Sequence, residues 1–226
     1  HRRGGWLHRD SAQWFADYTA AVVDRLSDRV PCWFTLNEPE VYAGCGYQQG
    51  VHAPGERLPF DRVLAVCHNL LRGHGMAVLA IRSRAKTKPS IGCALAPSPV
   101  PMPVSDDAPD IAAARRALFS VTKKDCLHSS WWADPLLRGR YPEDGLRLFA
   151  DDLPRISGDD LAVIAAPIDF IGLNIYCGRL VRAGHDGLPA EAPLAPDHER
   201  TGFGWPVTPA CLYWGPKFYG ERYGLP

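Results

Sequence analysis

The sequence predicts an α/β fold built on parallel strands. Its elements run in the order helix, strand, helix, strand, helices, strand, helix. The strand candidates, 32–36, 90–96 and 168–174, are short and nearly continuous apolar runs, as in strands covered on both faces. Such alternation implies right-handed crossovers. Neither an internal repeat nor a dividing linker is visible, so residues 1–226 read as one domain. A length of 226 lies near the lower end for an eight-stranded β/α barrel, about 200 to 250 residues.

The first helix spans 11–28, with Asp10 or Ser11 as N-cap. Trp14, Tyr18, Val22 and Leu26 recur every four residues, and Phe15 and Val23 widen the stripe. Pro31 stops it, and Cys32-Trp33-Phe34-Thr35-Leu36 follows as the first strand. A loop bearing Gly and Pro covers 37–59. The helix over 61–84 carries Val63, Leu64, Cys67, Leu71, Val78 and Ile81 on its apolar positions. Residues 90–96 form the second strand. Five prolines and two adjacent aspartates make 97–109 a loop. Residues 110–128 are helical. Ser157-Gly158-Asp159-Asp160 opens a short helix that Pro167 closes, and 168–174 is the third strand. Residues 183–206 read as a loop. A last helix starts near Thr208, and Gly215-Pro216 interrupts it, with Pro216 restarting at an N1-like position.

Composition excludes several classes. The chain is 46% hydrophobic and 22% charged, so it can bury enough surface to offset its ordering entropy. Its 25 basic and 25 acidic side chains balance, which argues against nucleic acid as partner. No apolar run approaches the roughly 18 residues that span a bilayer, so no membrane partner is expected. His1-Arg2-Arg3-Gly4-Gly5 has no apolar segment behind it, so no signal peptide is read there, and no initiator Met is present. The 7 cysteines are widely spaced without a C-x-x-C, which gives no support to a metal site and suggests a reducing, cytoplasmic setting.

In either a barrel or an open α/β sheet, chemistry gathers at the C-terminal ends of the strands. After the first strand come Asn37, Glu38 and Pro39. Burial would raise the Glu38 carboxyl toward neutrality, as a general acid requires, and Asn37 suits a sugar hydroxyl. The competing reading is a loop-opening Glu that caps the next segment. After the third strand come Asn174 and Tyr176, which alternation places on one side. The second strand leads to Pro97-Ser98-Pro99, which offers little catalytic chemistry.

These residues carry a resemblance. Thr35-Leu36-Asn37-Glu38-Pro39 resembles the T-L/F-N-E-P signature of glycoside hydrolase family 1. Other segments agree in order: Gly4-Gly5-Trp6-Leu7 with Arg9-Asp10, then Gly50-Val51-His52-Ala53-Pro54-Gly55. Later come Asp134-Pro135-Leu136 with Gly139, Tyr141 and Pro142, then Asp169-Phe170-Ile171-Gly172-Leu173-Asn174-Ile175-Tyr176, then Gly204-Trp205. The match covers essentially the whole chain.

The resemblance implies a (β/α)8 barrel that hydrolyses β-glucosides or related oligosaccharides with retention, without metal or organic cofactor. Glu38 matches the general acid/base, and Asn37 the residue that holds the sugar 2-hydroxyl. Asn174 and Tyr176 match residues lining the active site, the Tyr hydroxyl orienting the nucleophile. Trp205 is expected to line the barrel mouth. The nucleophile of the family lies in an I/V-T-E-N-G strand, and no Glu-Asn-Gly occurs here. Asp169, Glu143, Asp144 and Glu221 are poor substitutes, Glu221 being read as solvated. The family's opening strand with a sugar-binding Gln is missing too. The chain therefore resembles a partial TIM barrel, roughly units four to six with flanking helices. It is expected to be inactive alone, and an open piece of this kind could assemble with another copy or fragment. Glu40 stands where the family often has an aromatic. It reads as a surface glutamate, or else as a sign of a more polar aglycone.

Overall fold

The computed structural model describes residues 2–224. Its contacts divide the chain into two compact units, His1–Leu95 with Val121–Gly172, and Ala96–Ser120 with Leu173–Pro226.

The first unit begins with α1 (Ser11–Leu26), β1 (Cys32–Asn37) and a short α2 (Pro39–Ala43) that runs into a π-helical turn, Gly44–Gln48. Then come α3 (Phe60–Arg84) and β2 (Ser90–Leu95). The second unit contributes β3 (Val100–Pro103) and α4 (Ala108–Phe119). The chain returns to the first with α5 (Ser129–Arg138), α6 (Glu143–Leu148), α7 (Gly158–Ile164) and β4 (Phe170–Leu173). It closes in the second with β5 (Gly178–Ala183), β6 (Pro189–Ala192) and α8 (Cys211–Tyr223). One sheet has the order β1-β2-β4 and the other β3-β5-β6. Both are open rather than closed into a barrel.

The three sequence-derived strands form the first sheet. β1 and β2 are parallel, with Trp33 opposite Ile91 and Phe34 opposite Gly92. β4 is tied to β2 by Asp169, whose N–H donates to the Ile91 carbonyl at 2.8 Å while its carboxylate accepts the Ile91 N–H at 2.7 Å. Behind the sheet Val23, Val78, Ile81, Ile91 and Ala166 form a buried cluster, with Trp33 and Ile168 against it. Gly75 lets α3 and α7 approach: a Cβ there would stand 1.9 Å from the Val163 carbonyl oxygen.

Several expectations need correction. β1 is not covered on both faces, since Cys32 is exposed and Phe34 is 53% exposed. On that face Phe34 and Phe170 meet edge to face at 5.0 Å. Gly92 and Gly172 make room for the two rings, which a Cβ at either position would strike. In α1 the buried positions are Ser11, Ala12, Ala16, Thr19 and Val23, so of the expected stripe only Val23 is buried, and Tyr18 is 65% exposed. Small side chains make the inner face and leave the large ones at its border. Asp10 precedes the helix but makes no side-chain cap. Helix α3 is long and apolar enough to cross a membrane by length and composition, but 72% of its most apolar window is buried inside the fold. That is the signature of a core helix. The helix expected over 110–128 stops at Phe119, and α5 with its Pro135 was not anticipated as a separate helix. Ser157 does open α7: its hydroxyl accepts the Asp160 N–H, and Asp160 reaches back in a capping box.

The second unit departs most. The proline-rich loop contains β3, which pairs parallel to β5. Val100 and Val104 donate to Cys177 and Val181, so Pro101 and Pro103 fall on the alternate positions of an edge strand and cost no ladder bond. The supposed loop 183–206 contains β6, antiparallel to β5. Helix α8 runs through Pro216 without interruption. The bond lost there is to the carbonyl of Leu212, a residue 62% exposed and open to water. Glu221 is exposed, as expected, and is ion-paired to Lys217 and Arg115.

Candidate active site

Sequence and backbone together give Glu38 an unusual position. The β1–β2 register slips between Phe34 and Asn37, so β1 carries an extra residue just before its end. A bulge of this kind re-aims the side chains that follow it. Glu38 then adopts φ 50° and ψ 52°, and it is the one non-glycine residue with positive φ among the described residues. Such a conformation costs about 1–3 kcal/mol and persists only where the surroundings impose it. Here they do. The Glu38 N–H donates to Ala94 at 2.8 Å, and its carbonyl accepts from Val41 and Tyr42 at 3.0 Å. Pro39 starts α2 at a position that needs no donor. Glu38 is half-buried and Asn37 exposed, both at the C-terminal end of β1.

A polar layer backs this strand end. Thr35 donates its hydroxyl to the Gly92 carbonyl at 3.3 Å and meets His74 Nδ1 at 2.6 Å. His74 is fully buried, and burial lowers its pKa to about 4, so the ring is neutral. The Cys93 thiol points to the Leu36 carbonyl at 3.5 Å. Burial, with the charge of Glu40 beside it, pushes that thiol up to about 12. Glu40 itself is only 4% exposed, which corrects the surface reading. The same bulge and turn that present Glu38 carry Glu40 inward two residues later.

β4 ends at Leu173, so Asn174 and Tyr176, which belong to the second unit, lie beyond the strand. The alternation nonetheless continues. Ile175 packs against Val100, while Tyr176 is 52% exposed. Ser98, dismissed in the sequence as offering little chemistry, sets this segment. Its Oγ accepts the N–H groups of Tyr176 and Cys177, each at 3.2 Å, and donates to the Cys177 carbonyl. No sequence signal short of a fold announces that role. Tyr176 and Trp205 come together at 5.2 Å between ring centroids, and Trp205 stacks on Phe203 at 5.5 Å. Thr201 fixes the Trp205 loop by accepting its N–H on the side chain, while the Trp205 carbonyl accepts the Thr201 N–H. Trp131 and Trp132 are both buried in the core and so offer no ring face to a ligand.

The other carboxylates are engaged in structure. Asp169 holds Ile91 and Arg82, and Asp144 accepts the N–H groups of Val121 and Gly145. Glu143 lies at the exposed start of α6, 3.8 Å from Arg147.

Comparison with solved structures places the fold in a class. The chain superposes on a family 1 β-glucosidase from Thermotoga maritima with TM-score 0.79 at 34% identity. That superposition covers 99% of this chain and 48% of the other. The structure of a Thermotoga maritima β-glucosidase in complex with glucoimidazole gives TM-score 0.80 at 35% identity. The fold is thus an α/β fragment matching about half of a TIM-barrel glycosidase. The model of glycosyl hydrolase family 1 matches residues 1–225, and the chain belongs to that family. β-Glucosidase A of Acetivibrio thermocellus is 36% identical over 229 residues, 99% of this chain and 49% of that protein. β-Glucosidase A of Thermotoga maritima is 37% identical over 224 residues, 99% of this chain and 48% of that protein. The chain spans about half the length of the curated relatives it matches.

Proposed function

We propose that this chain supplies the acid/base half of the active site of a retaining β-glucosidase, with Glu38 as the proton donor. The observation that carries the reading is Glu38 itself, a half-buried carboxylate held at φ 50° on a bulged strand end directly after Asn37. Relatives named as β-glucosidases, and solved relatives in complex with glucoimidazole and deoxynojirimycin, support sugar as the substrate class. In this reading the chain represents barrel units four to six. Glu38 protonates the leaving oxygen and then activates water against the glycosyl-enzyme. Asn37 holds the 2-hydroxyl, and Asn174, Tyr176 and Trp205 line the sugar site. Retention needs a second carboxyl about 5 to 5.5 Å from the first. The sequence has no Glu-Asn-Gly, and Asp144 and Asp169 are committed to backbone and arginine partners. The isolated chain is therefore expected to hydrolyse aryl β-glucosides no faster than its Glu38→Gln variant. Turnover by the chain that Glu38→Gln abolishes would contradict this. The seven free thiols, five of them buried, support a reducing, cytoplasmic setting.

A second reading, a half-barrel module that assembles with another copy or fragment, is favoured by the exposed Phe34 and Cys32 on the open face of the first sheet. Light scattering on the purified chain decides it: a compact monomer at every concentration rules out obligate assembly.

A further inference from the structure

The bulge that aims Glu38 is gripped residue by residue. Thr35 and Leu36 are the residues over which the β1–β2 register slips. A bulge disrupts the ladder locally, so other contacts must hold the kink in one shape. β2, the central strand of the first sheet, supplies three holds in turn. The Thr35 hydroxyl lies 3.3 Å from the Gly92 carbonyl, the Cys93 thiol donates to the Leu36 carbonyl at 3.5 Å, and the Ala94 carbonyl accepts the Glu38 N–H at 2.8 Å. Helix α3 adds a fourth: His74 Nδ1 meets the Thr35 hydroxyl at 2.6 Å.

Packing alone does not account for two of these side chains. His74 is fully buried, and its Nε2 has no hydrogen-bond partner among the described residues. A leucine would fill similar space without leaving a polar atom unsatisfied. What the imidazole adds is its contact with Thr35. Thr35 in turn stands in an apolar run, where valine has nearly the same shape. What its hydroxyl adds is the link between His74 and β2. Three residues on, Glu38 holds a left-handed backbone that its surroundings must impose.

We propose that Thr35, His74 and Cys93 are positioning residues, which lock the bulge and so fix the conformation of Glu38. Their purpose rests on the acid/base reading of Glu38, but the test uses no catalysis, so the two fail separately. It is residue-resolved amide exchange, followed by NMR on the full chain. Thr35→Val is expected to cut protection of the Glu38, Val41 and Tyr42 amides about 10-fold further than that of Ser27 and Ala165, reference amides at the ends of α1 and α7. The Glu38 backbone carbon signals, which report its left-handed geometry, are expected to move as well. Thr35→Ser keeps the hydroxyl and should return protection to within about 3-fold of the parent chain. His74→Leu should match Thr35→Val. Cys93→Ala removes a single sulfur and should give the same selective loss, about 3-fold, which decides the matter should the other variants unfold. Protection that falls equally at the reference amides, or does not fall at all, would overturn the proposal. So would a loss in Thr35→Ser as large as that in Thr35→Val.

Discussion

Replacing Asp160 by Asn should destabilise the first unit more than a typical single substitution. Asp160 is 6% exposed at the start of α7. Its carboxylate accepts two bonds from Arg9 at 3.0 and 3.1 Å, one from Arg72 Nε at 2.7 Å and one from the Ser157 hydroxyl at 2.8 Å. His68 Nε2 lies 3.5 Å away. Burial alone would push the carboxyl up, but Ser157, Arg9, Arg72 and His68 outweigh it and hold it well below the usual carboxylate range. Breaking one side of a buried ion pair costs about 3–5 kcal/mol. The Arg9 side chain is 58% exposed and recovers water, which lowers the cost, whereas Arg72 at 16% does not. Asn keeps one acceptor, so a loss of about 2–4 kcal/mol is expected. At about 2–4 °C per kcal/mol for a chain of this size, Tm should fall by about 5–15 °C at pH 7. The folded pKa is depressed, so the charge stabilises fully above the unfolded value near 3.9 and ceases to do so as pH falls through the folded one. The Tm gap between the protein and Asp160→Asn should therefore stay constant above about pH 5 and narrow below it. Circular dichroism melts from pH 3 to 8 measure both. A gap under about 2 °C at pH 7, or one that widens in acid, would refute the reasoning.

Other perturbations follow from the same packing. Thr35→Val leaves Nδ1 of buried His74 without its hydrogen-bond partner and should cost about 1–3 kcal/mol in urea unfolding. Gly75→Ala puts a methyl 1.9 Å from the Val163 carbonyl, so α3 and α7 must separate, at a cost of about 1–3 kcal/mol or more in the same assay. Among the thiols, exposed Cys32 should react first with an aromatic disulfide reagent, and Cys32→Ser should remove the fast phase. Cys93, buried with its pKa near 12, should react only on unfolding.

The sequence was legible where a segment's neighbours are local or its burial uniform. Both apply to α3, β2 and the Ser157 cap. It was less legible where tertiary context decides. β1 is as apolar as a doubly covered strand, but Phe34 rests on Phe170 with its far side open. β3 reads as a proline loop because the rule against proline in sheets ignores which edge faces the partner. The inner face of α1 is made of Ala12, Ala16 and Thr19, which carry almost no hydrophobic signal beside Trp14 and Tyr18. Around the candidate site, the place of Asn37 and Glu38 at the end of β1 was legible from the apolar run and Pro39, whereas the bulge and the left-handed turn at Glu38 were not. Ser98 and buried Glu40 were not visible, since each acts through a contact or a burial that only folding creates.

The proton-donor role proposed for Glu38 is tested most directly in a complete barrel. Residues 1–225 would replace the matching half of the Thermotoga maritima β-glucosidase, and kcat/KM on cellobiose, whose leaving group needs a proton, would be compared with and without Glu38→Gln. General acid/base assistance contributes about 10²- to 10⁴-fold. The account predicts a loss of that order on cellobiose, and a smaller one on an aryl β-glucoside whose leaving group needs no proton. A folded, active chimera whose kcat/KM is unchanged by Glu38→Gln would contradict it.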